Sequence, residues 1–189
     1  MCNERILCAG FGGQGVMSLG QLLAHAGMIE NKHVTWLPSY GPEMRGGTAY
    51  CNVVVSDSPV GSPIVTDNAS CVIVMNLPSL LKFEKSVIPG GIILVNSSLV
   101  NQAVSRRDIL AYYIPAGELA SECGSPKAAN MVMLGAYLAL VGAVQETSII
   151  AAFKNVFGKK DRRFSDLNIA AIHRGADAAL GGEKVLAAA

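Results

Sequence analysis

This sequence is poor in charge. Lys, Arg, Asp and Glu together make up 15% of its 189 residues and nearly cancel, leaving a formal net charge of +1. The basic clusters, Arg106-Arg107 and Lys159-Lys160-Asp161-Arg162-Arg163, are short, which excludes the broad basic face of a nucleic-acid-binding protein. No apolar stretch reaches the ~18 residues of a membrane span. The opening residues Met1-Cys2-Asn3-Glu4-Arg5 run into a strand-like segment without a signal-peptide pattern, so the expectation is a cytoplasmic protein. Five cysteines are present, Cys2, Cys8, Cys51, Cys71 and Cys123, and no two stand at Cys-x-x-Cys spacing. That argues against a zinc site or an iron-sulfur cluster within this chain, and for small buried apolar groups. His25, His33 and His173 are isolated from the Ser, Cys or carboxylate context of a catalytic triad, so no catalytic residue is assigned.

Apolar residues, by contrast, make up 51% of the chain. With so little charge, either Ala and Gly inflate that figure in a compact monomer, or part of the surface faces another chain.

The apolar run Ile6-Leu7-Cys8-Ala9 leads into Gly10-Phe11-Gly12-Gly13-Gln14-Gly15, and from there Val16, Leu19, Leu23 and Ala26 recur at helical spacing. Strand, glycine loop and helix in this order allow a backbone to approach a ligand and aim unpaired N–H groups at an anion. The spacing of Gly10, Gly12 and Gly15 matches the dinucleotide fingerprint. The acid that should follow on the second strand is missing, because that region reads Thr35-Trp36-Leu37-Pro38. There is no Walker lysine either, since Val16-Met17 follow Gly15. The alternative is a tight turn whose glycines serve helix–strand packing.

A strand over 33–37 is followed by the turn-rich loop Pro38 to Gly47, which carries Tyr40, Glu43 and Arg45. In a parallel sheet this loop leaves the same carboxyl edge as the glycine loop, where Arg45 can reach the same anion or pair with Glu43 instead. The run 48–56 alternates like a strand with one buried side, whereas 71–75 and 92–95 are continuously apolar, as central parallel strands are. Pro89-Gly90-Gly91 reads as the turn into the latter, and 78–85 as a short helix. A short strand over 111–114 precedes a helical remainder. In it Ser125-Pro126 reads as a capped helix start, 131–144 as a helix buried all round, and Ser165 as the cap of a last helix with the stripe Ile169, Ile172, Ala176 and Leu180. Asn96 and Asn130 are candidates to line the crevice at the carboxyl edge, with local backbone bonding as the alternative. The expected fold is a three-layer α/β/α, Rossmann-like domain over residues 1–189, with a mostly parallel central sheet and a helical C-terminal third.

Three segments together, Gly10 to Gly15, Ser39-Tyr40-Gly41-Pro42-Glu43-Met44-Arg45-Gly46-Gly47, and Asn130 with Leu134-Gly135-Ala136, resemble the gamma subunit of 2-oxoacid:ferredoxin oxidoreductases, a family with pyruvate, 2-oxoglutarate and ketoisovalerate members. The resemblance runs over essentially the whole chain. It implies a heteromeric enzyme that decarboxylates a 2-oxoacid on thiamine diphosphate, reduces ferredoxin through iron-sulfur clusters and transfers the acyl group to coenzyme A. Thiamine diphosphate, its magnesium and the clusters are then expected on partner subunits, because this chain has neither a Gly-Asp-Gly segment nor cluster-spaced cysteines. What the resemblance implies for this chain is complex assembly and help in holding coenzyme A, with Gly12, Gly13, Gln14 and Gly15 on its phosphates and Arg45 as cationic partner. A purely structural subunit and a free-standing nicotinamide- or flavin-binding oxidoreductase are the two alternatives.

Overall fold

The computed structural model describes residues 2–40, 48–158 and 162–181. Six strands, β1 (Asn3–Phe11), β2 (His33–Tyr40), β3 (Thr48–Ser56), β4 (Ala69–Val74), β5 (Val87–Asn96) and β6 (Leu110–Ile114), form one sheet in the order β2-β3-β1-β4-β5-β6. β3 runs antiparallel to both β1 and β2, and all other neighbours are parallel, so five strands point one way and β3 alone is reversed. The sheet is mostly parallel, as expected.

Among the described residues six α-helices accompany it: α1 (Val16–Ile29), α2 (Leu77–Phe83), α3 (Ala116–Glu122), α4 (Ala129–Leu140), α5 (Glu146–Phe157) and α6 (Arg162–Gly181). They divide unequally. Alternate strand residues such as Ile6, Cys8, Cys51 and Ile73 face a large core built with α1, α3, α4, α5 and α6. The intervening Leu7, Ala9, Val72 and Val74 face a smaller core that has only α2 and connecting segments above it. β3 is therefore buried on both sides, Cys51 and Val53 against one core and Val54 against the other. The sequence alternation suggested a single buried side.

Within the large core Leu19, Leu22 and Leu23 of α1 are fully buried, each contributing about 1.5–3 kcal/mol of transfer free energy. α4 crosses α6 at Gly135 and Gly175, where a Cβ on either would overlap the other helix's backbone, at Ile172 and Val132 respectively. This close approach fixes the rotation of α6. Asn168, Ala171, Ile172, Gly175 and Ala179 are buried, while Ile169 and Ala176 are half-buried and Leu180 is 71% exposed. The stripe expected through Ile169 and Leu180 is thus turned by part of a helical step. Ser165 lies inside α6 and does not begin it.

Three further expectations change. β5 continues through Pro89-Gly90-Gly91, with Gly90 at φ +77° and a break in register against β4 between Ala69 and Cys71, so these residues form an irregularity in a strand and not a turn before one. Ser125 makes no side-chain cap; its carbonyl accepts from the Ala128 N–H at 3.0 Å, opening a 3₁₀ turn over Pro126–Ala128 ahead of α4. α4 ends at Leu140, and its last residues are only half-buried.

Candidate functional site

β1 ends at Phe11 and α1 begins at Val16, so the four residues between them make the glycine loop at the carboxyl edge of the sheet. Gly13 has φ +94° and Gly15 φ +76°, values that favour glycine over any residue with a Cβ. Two amides hold this geometry. Gln14 turns inward: its Oε1 accepts from the Phe11 N–H at 2.7 Å and from Asn76 Nδ2 at 3.0 Å, and its Nε2 donates to the Met75 carbonyl at 3.4 Å. Its own backbone N–H donates to the Phe11 carbonyl at 3.1 Å. Asn130, at the start of α4, donates from Nδ2 to the Gly15 carbonyl at 3.2 Å. It packs so close that a Cβ on Gly15 would overlap its amide.

The loop faces a crevice of about 330 Å³ whose lining includes Gly13, Gln14, Asn96, Ser98, Gly117 and Lys127. Asn96 is 1% exposed; its Nδ2 donates to the Met75 carbonyl at 3.5 Å and its Oδ1 accepts from the Ser98 N–H at 3.2 Å. Ser98 Oγ accepts from the Gly117 N–H at 2.8 Å and donates to Glu118. That bond, with the Glu118 N–H, holds the Glu118 carboxyl below its ordinary range. The loop that leads into α1, the first turn of α3 and the 3₁₀ segment leading into α4 border this crevice. The N–H groups at the start of α1 carry partial positive charge, whereas the Gly117 N–H of α3 is taken by Ser98. Lys127 adds the only full charge among the lining residues. Gly12 and Gly13 are exposed, and their N–H groups make no hydrogen bond among the described residues. The arrangement suits an anion.

Of the residues singled out from sequence, Gly13, Gln14 and Asn96 line the crevice, Gly12 sits at the loop tip, and Gly15 and Asn130 meet behind it. Arg45 lies outside the described residues. Lys127 was missed, although Ser125-Pro126 had marked the local helix start and Asn130 the crevice. A lysine two residues past such a start carries no pattern of its own. His25 is elsewhere, in a groove on the outer side of α1 with Met28 and Trp36.

The geometry bears on the dinucleotide alternative. β3 is inserted between β1 and β2, so the end of β2 stands two strand spacings, roughly 10 Å, from the glycine loop. No residue of β2 is acidic. Cys8, Cys51 and Cys71 are fully buried, and burial pushes the Cys71 thiol up, with hydrogen bonding to Cys51 and burial doing the same to Cys8. Cys8 and Cys71 are thereby kept protonated in the core. Among the described residues no helix is long and apolar enough to cross a membrane, and no group of three or more His, Cys, Asp or Glu is placed to hold a metal ion.

Comparison with known proteins agrees with this architecture. Residues 5–178 match the family of pyruvate ferredoxin/flavodoxin oxidoreductases. Ketoisovalerate oxidoreductase subunit VorA of Methanothermobacter marburgensis is 42% identical over 174 residues, which are 92% of this chain and 36% of VorA. The chain therefore spans about a third of the length of that relative. 2-Oxoglutarate synthase subunit KorC of the same organism is 32% identical over 191 residues, 96% of this chain and 100% of KorC. Among solved structures, the gamma subunit of keto/oxoacid ferredoxin oxidoreductase from Geobacter sulfurreducens superimposes with a TM-score of 0.80 at 27% identity, covering 95% of this chain and 99% of that one. A 2-oxoglutarate:ferredoxin oxidoreductase from Magnetococcus marinus, solved with 2-oxoglutarate, coenzyme A and succinyl-CoA bound, shares the fold with a TM-score of 0.86 at 24% identity over 98% of this chain and 32% of its own. The chain belongs to the pyruvate ferredoxin/flavodoxin oxidoreductase family.

Proposed function

We propose that this chain is a gamma-type subunit of a cytoplasmic, multisubunit 2-oxoacid:ferredoxin oxidoreductase, folded as one domain, and that its carboxyl-edge crevice holds phosphates of coenzyme A. The observation that carries the reading is the convergence of the exposed glycine loop and Lys127 on one crevice whose described lining residues include no carboxylate, the neighbouring Glu118 being engaged by Ser98. Phosphates at such a point gain both backbone donors and a cation. The coenzyme A bound to the Magnetococcus marinus enzyme, which has the same fold, supports the choice of ligand. A Cβ at Gly13 would meet no atom within 4 Å, so the loop tip leaves open space where a phosphate would lie.

In this reading Gly12, Gly13 and Gly15 offer backbone N–H groups, and Lys127 and Arg45 offer charge. Gln14, whose N–H is already bonded to Phe11, lines the crevice and keeps the loop in register with β1 and β4. Coenzyme A supplies the thiol that takes up the acyl group. Decarboxylation on thiamine diphosphate with magnesium, and electron transfer through iron-sulfur clusters to ferredoxin, belong to thiamine-diphosphate-binding and ferredoxin-like partner chains. The isolated chain is then inactive.

The test is the KM for coenzyme A of the assembled enzyme carrying Gly13→Asp. The new carboxylate faces the phosphates, and the expected result is a rise of roughly tenfold or more, with the KM for the 2-oxoacid unchanged. An unchanged KM for coenzyme A would overturn the assignment.

A second reading is a purely structural subunit whose loops are interface elements. It is favoured by Leu99, which is 59% exposed at the rim of the same crevice. Loss of assembly on changing Tyr40 or Arg45, with coenzyme A binding indifferent to Gly13→Asp, would select it.

A further inference from the structure

The opposite face of the sheet from α1 carries a second cavity that shares no lining residue with the glycine-loop crevice. It has a volume of about 540 Å³, within the range of roughly 300–1,000 Å³ usual for small-molecule sites. It exists because the smaller core is thinly roofed. α2 and the turn after it cover β1 and β4, and no described helix covers the β2–β3 end of that face. Leu37 and Ile64, 38% and 55% exposed, stand at its mouth, and Tyr50 and Phe83 pack ring against ring, 5.0 Å apart, in its wall.

Beside hydroxyls of Ser39, Thr66 and Ser86, its polar lining includes one amide, Asn52, and two cations, Lys82 and Lys85. Asn52 is 6% exposed and lines the cavity, and its side-chain carbonyl oxygen is buried without a hydrogen-bond partner among the described residues. A buried acceptor left unpaired is costly and wants a donor. Lys82 holds its ammonium 5.1 Å from the centroids of both Tyr50 and Phe83, and Lys85 lies one turn further on. No carboxylate lines the cavity among the described residues. The carboxylate next in sequence, Glu84, accepts instead from the Ser105 and Arg106 N–H groups at 2.6 and 2.7 Å. Among the described residues the two lysines have no carboxylate partner, and they stand at a hollow with aromatic rings and an unpaired acceptor in its wall.

We propose that this cavity binds an organic anion with a flat apolar body, a carboxylate, sulfonate or phosphate group that meets Lys82 and Lys85, and an N–H or O–H donor that meets Asn52. The body lies against Tyr50, Phe83 and Leu37, and the anionic group stays at the mouth, where the lysines reach it. The site is independent of the coenzyme A assignment, because neither its residues nor its sheet face are shared.

The probe that combines all three features is 6-anilinonaphthalene-2-sulfonate, whose sulfonate and anilino N–H stand at opposite ends of the naphthalene and which brightens on leaving water. Titrated into the full chain, it is expected to show one saturable site. Lys82→Gln with Lys85→Gln is expected to weaken binding ~10-fold or more, since both charges that meet the sulfonate are removed. Asn52→Leu is expected to weaken it by a factor of several, and the exposed lysine pair serves alone if that core variant does not fold. N-phenyl-2-naphthylamine, which has the same body without the sulfonate, should bind the unaltered chain and the double-lysine variant equally. Gly13→Asp, at the other crevice, should leave the dye titration unchanged. Absence of saturable binding, or equal affinity of the unaltered and double-lysine proteins for the sulfonate, would overturn the proposal.

Discussion

Gln14 accepts two hydrogen bonds on one side-chain oxygen, from Phe11 at the end of β1 and from Asn76, the N-cap of α2. The apolar isostere Gln14→Leu would leave both donors without that acceptor in a partly buried place, and the expected cost is about 1–3 kcal/mol, read as a lower midpoint in urea unfolding. The spacing of Gly10, Gly12, Gly13 and Gly15 was legible in the sequence because glycine has few other reasons to recur so densely. Gln14's task was not, since its partner Asn76 lies 62 residues away. Asn130 shows the same limit from the other side. The sequence offered it as a crevice residue or a local cap, and it is neither of these in the simple sense, because its amide bonds to Gly15 across the fold.

Among the elements, α4 and α6 depend on two missing side chains. Gly175→Leu would drive a side chain into the Val132 backbone. The expected loss is several kcal/mol, at or above the ~1–3 kcal/mol of ordinary overpacking, with α6 the first segment cut in limited proteolysis. Helical periodicity alone located α6 but misjudged its face, because the rotation is set by a backbone approach that glycine permits and hydropathy does not register. Strand irregularity was hidden for a similar reason: Pro89-Gly90-Gly91 has turn composition, yet the strand continues through it.

The joint between α1 and α5 gives a pH-dependent prediction. Glu30, at the end of α1, accepts from the Gln145 N–H at 2.6 Å and pairs with Lys32 at 3.4 Å. Burial works against the charged carboxylate, but the bonds from Gln145, Ser148 and Lys32 outweigh it together and hold its pKa below the ordinary glutamate value. A carboxyl lowered on folding stabilises the native state above its unfolded pKa, and that contribution is lost as pH falls through the lowered value. Stability measured by urea unfolding at neutral and at acid pH should therefore fall less steeply on acidification in Glu30→Gln than in the unaltered chain. An equal slope in both would remove Glu30 from the acid response.

For the whole molecule, the order β2-β3-β1-β4-β5-β6 with β3 reversed is what separates this fold from a dinucleotide-binding one that begins with the same glycine motif. Strand runs and their burial could be read from hydropathy, and the mostly parallel sheet with a helical last third followed from them. Pairing order could not, because an inserted antiparallel strand has the same local pattern as an edge strand. Among the described residues, five of six helices stack on one sheet face. The claim that this chain works only as one piece of a larger oxidoreductase is tested most directly by purifying it from its native source and identifying what comes with it. Thiamine-diphosphate-binding and ferredoxin-like chains in fixed proportion to it are the expected result; recovery of this chain alone would contradict the account.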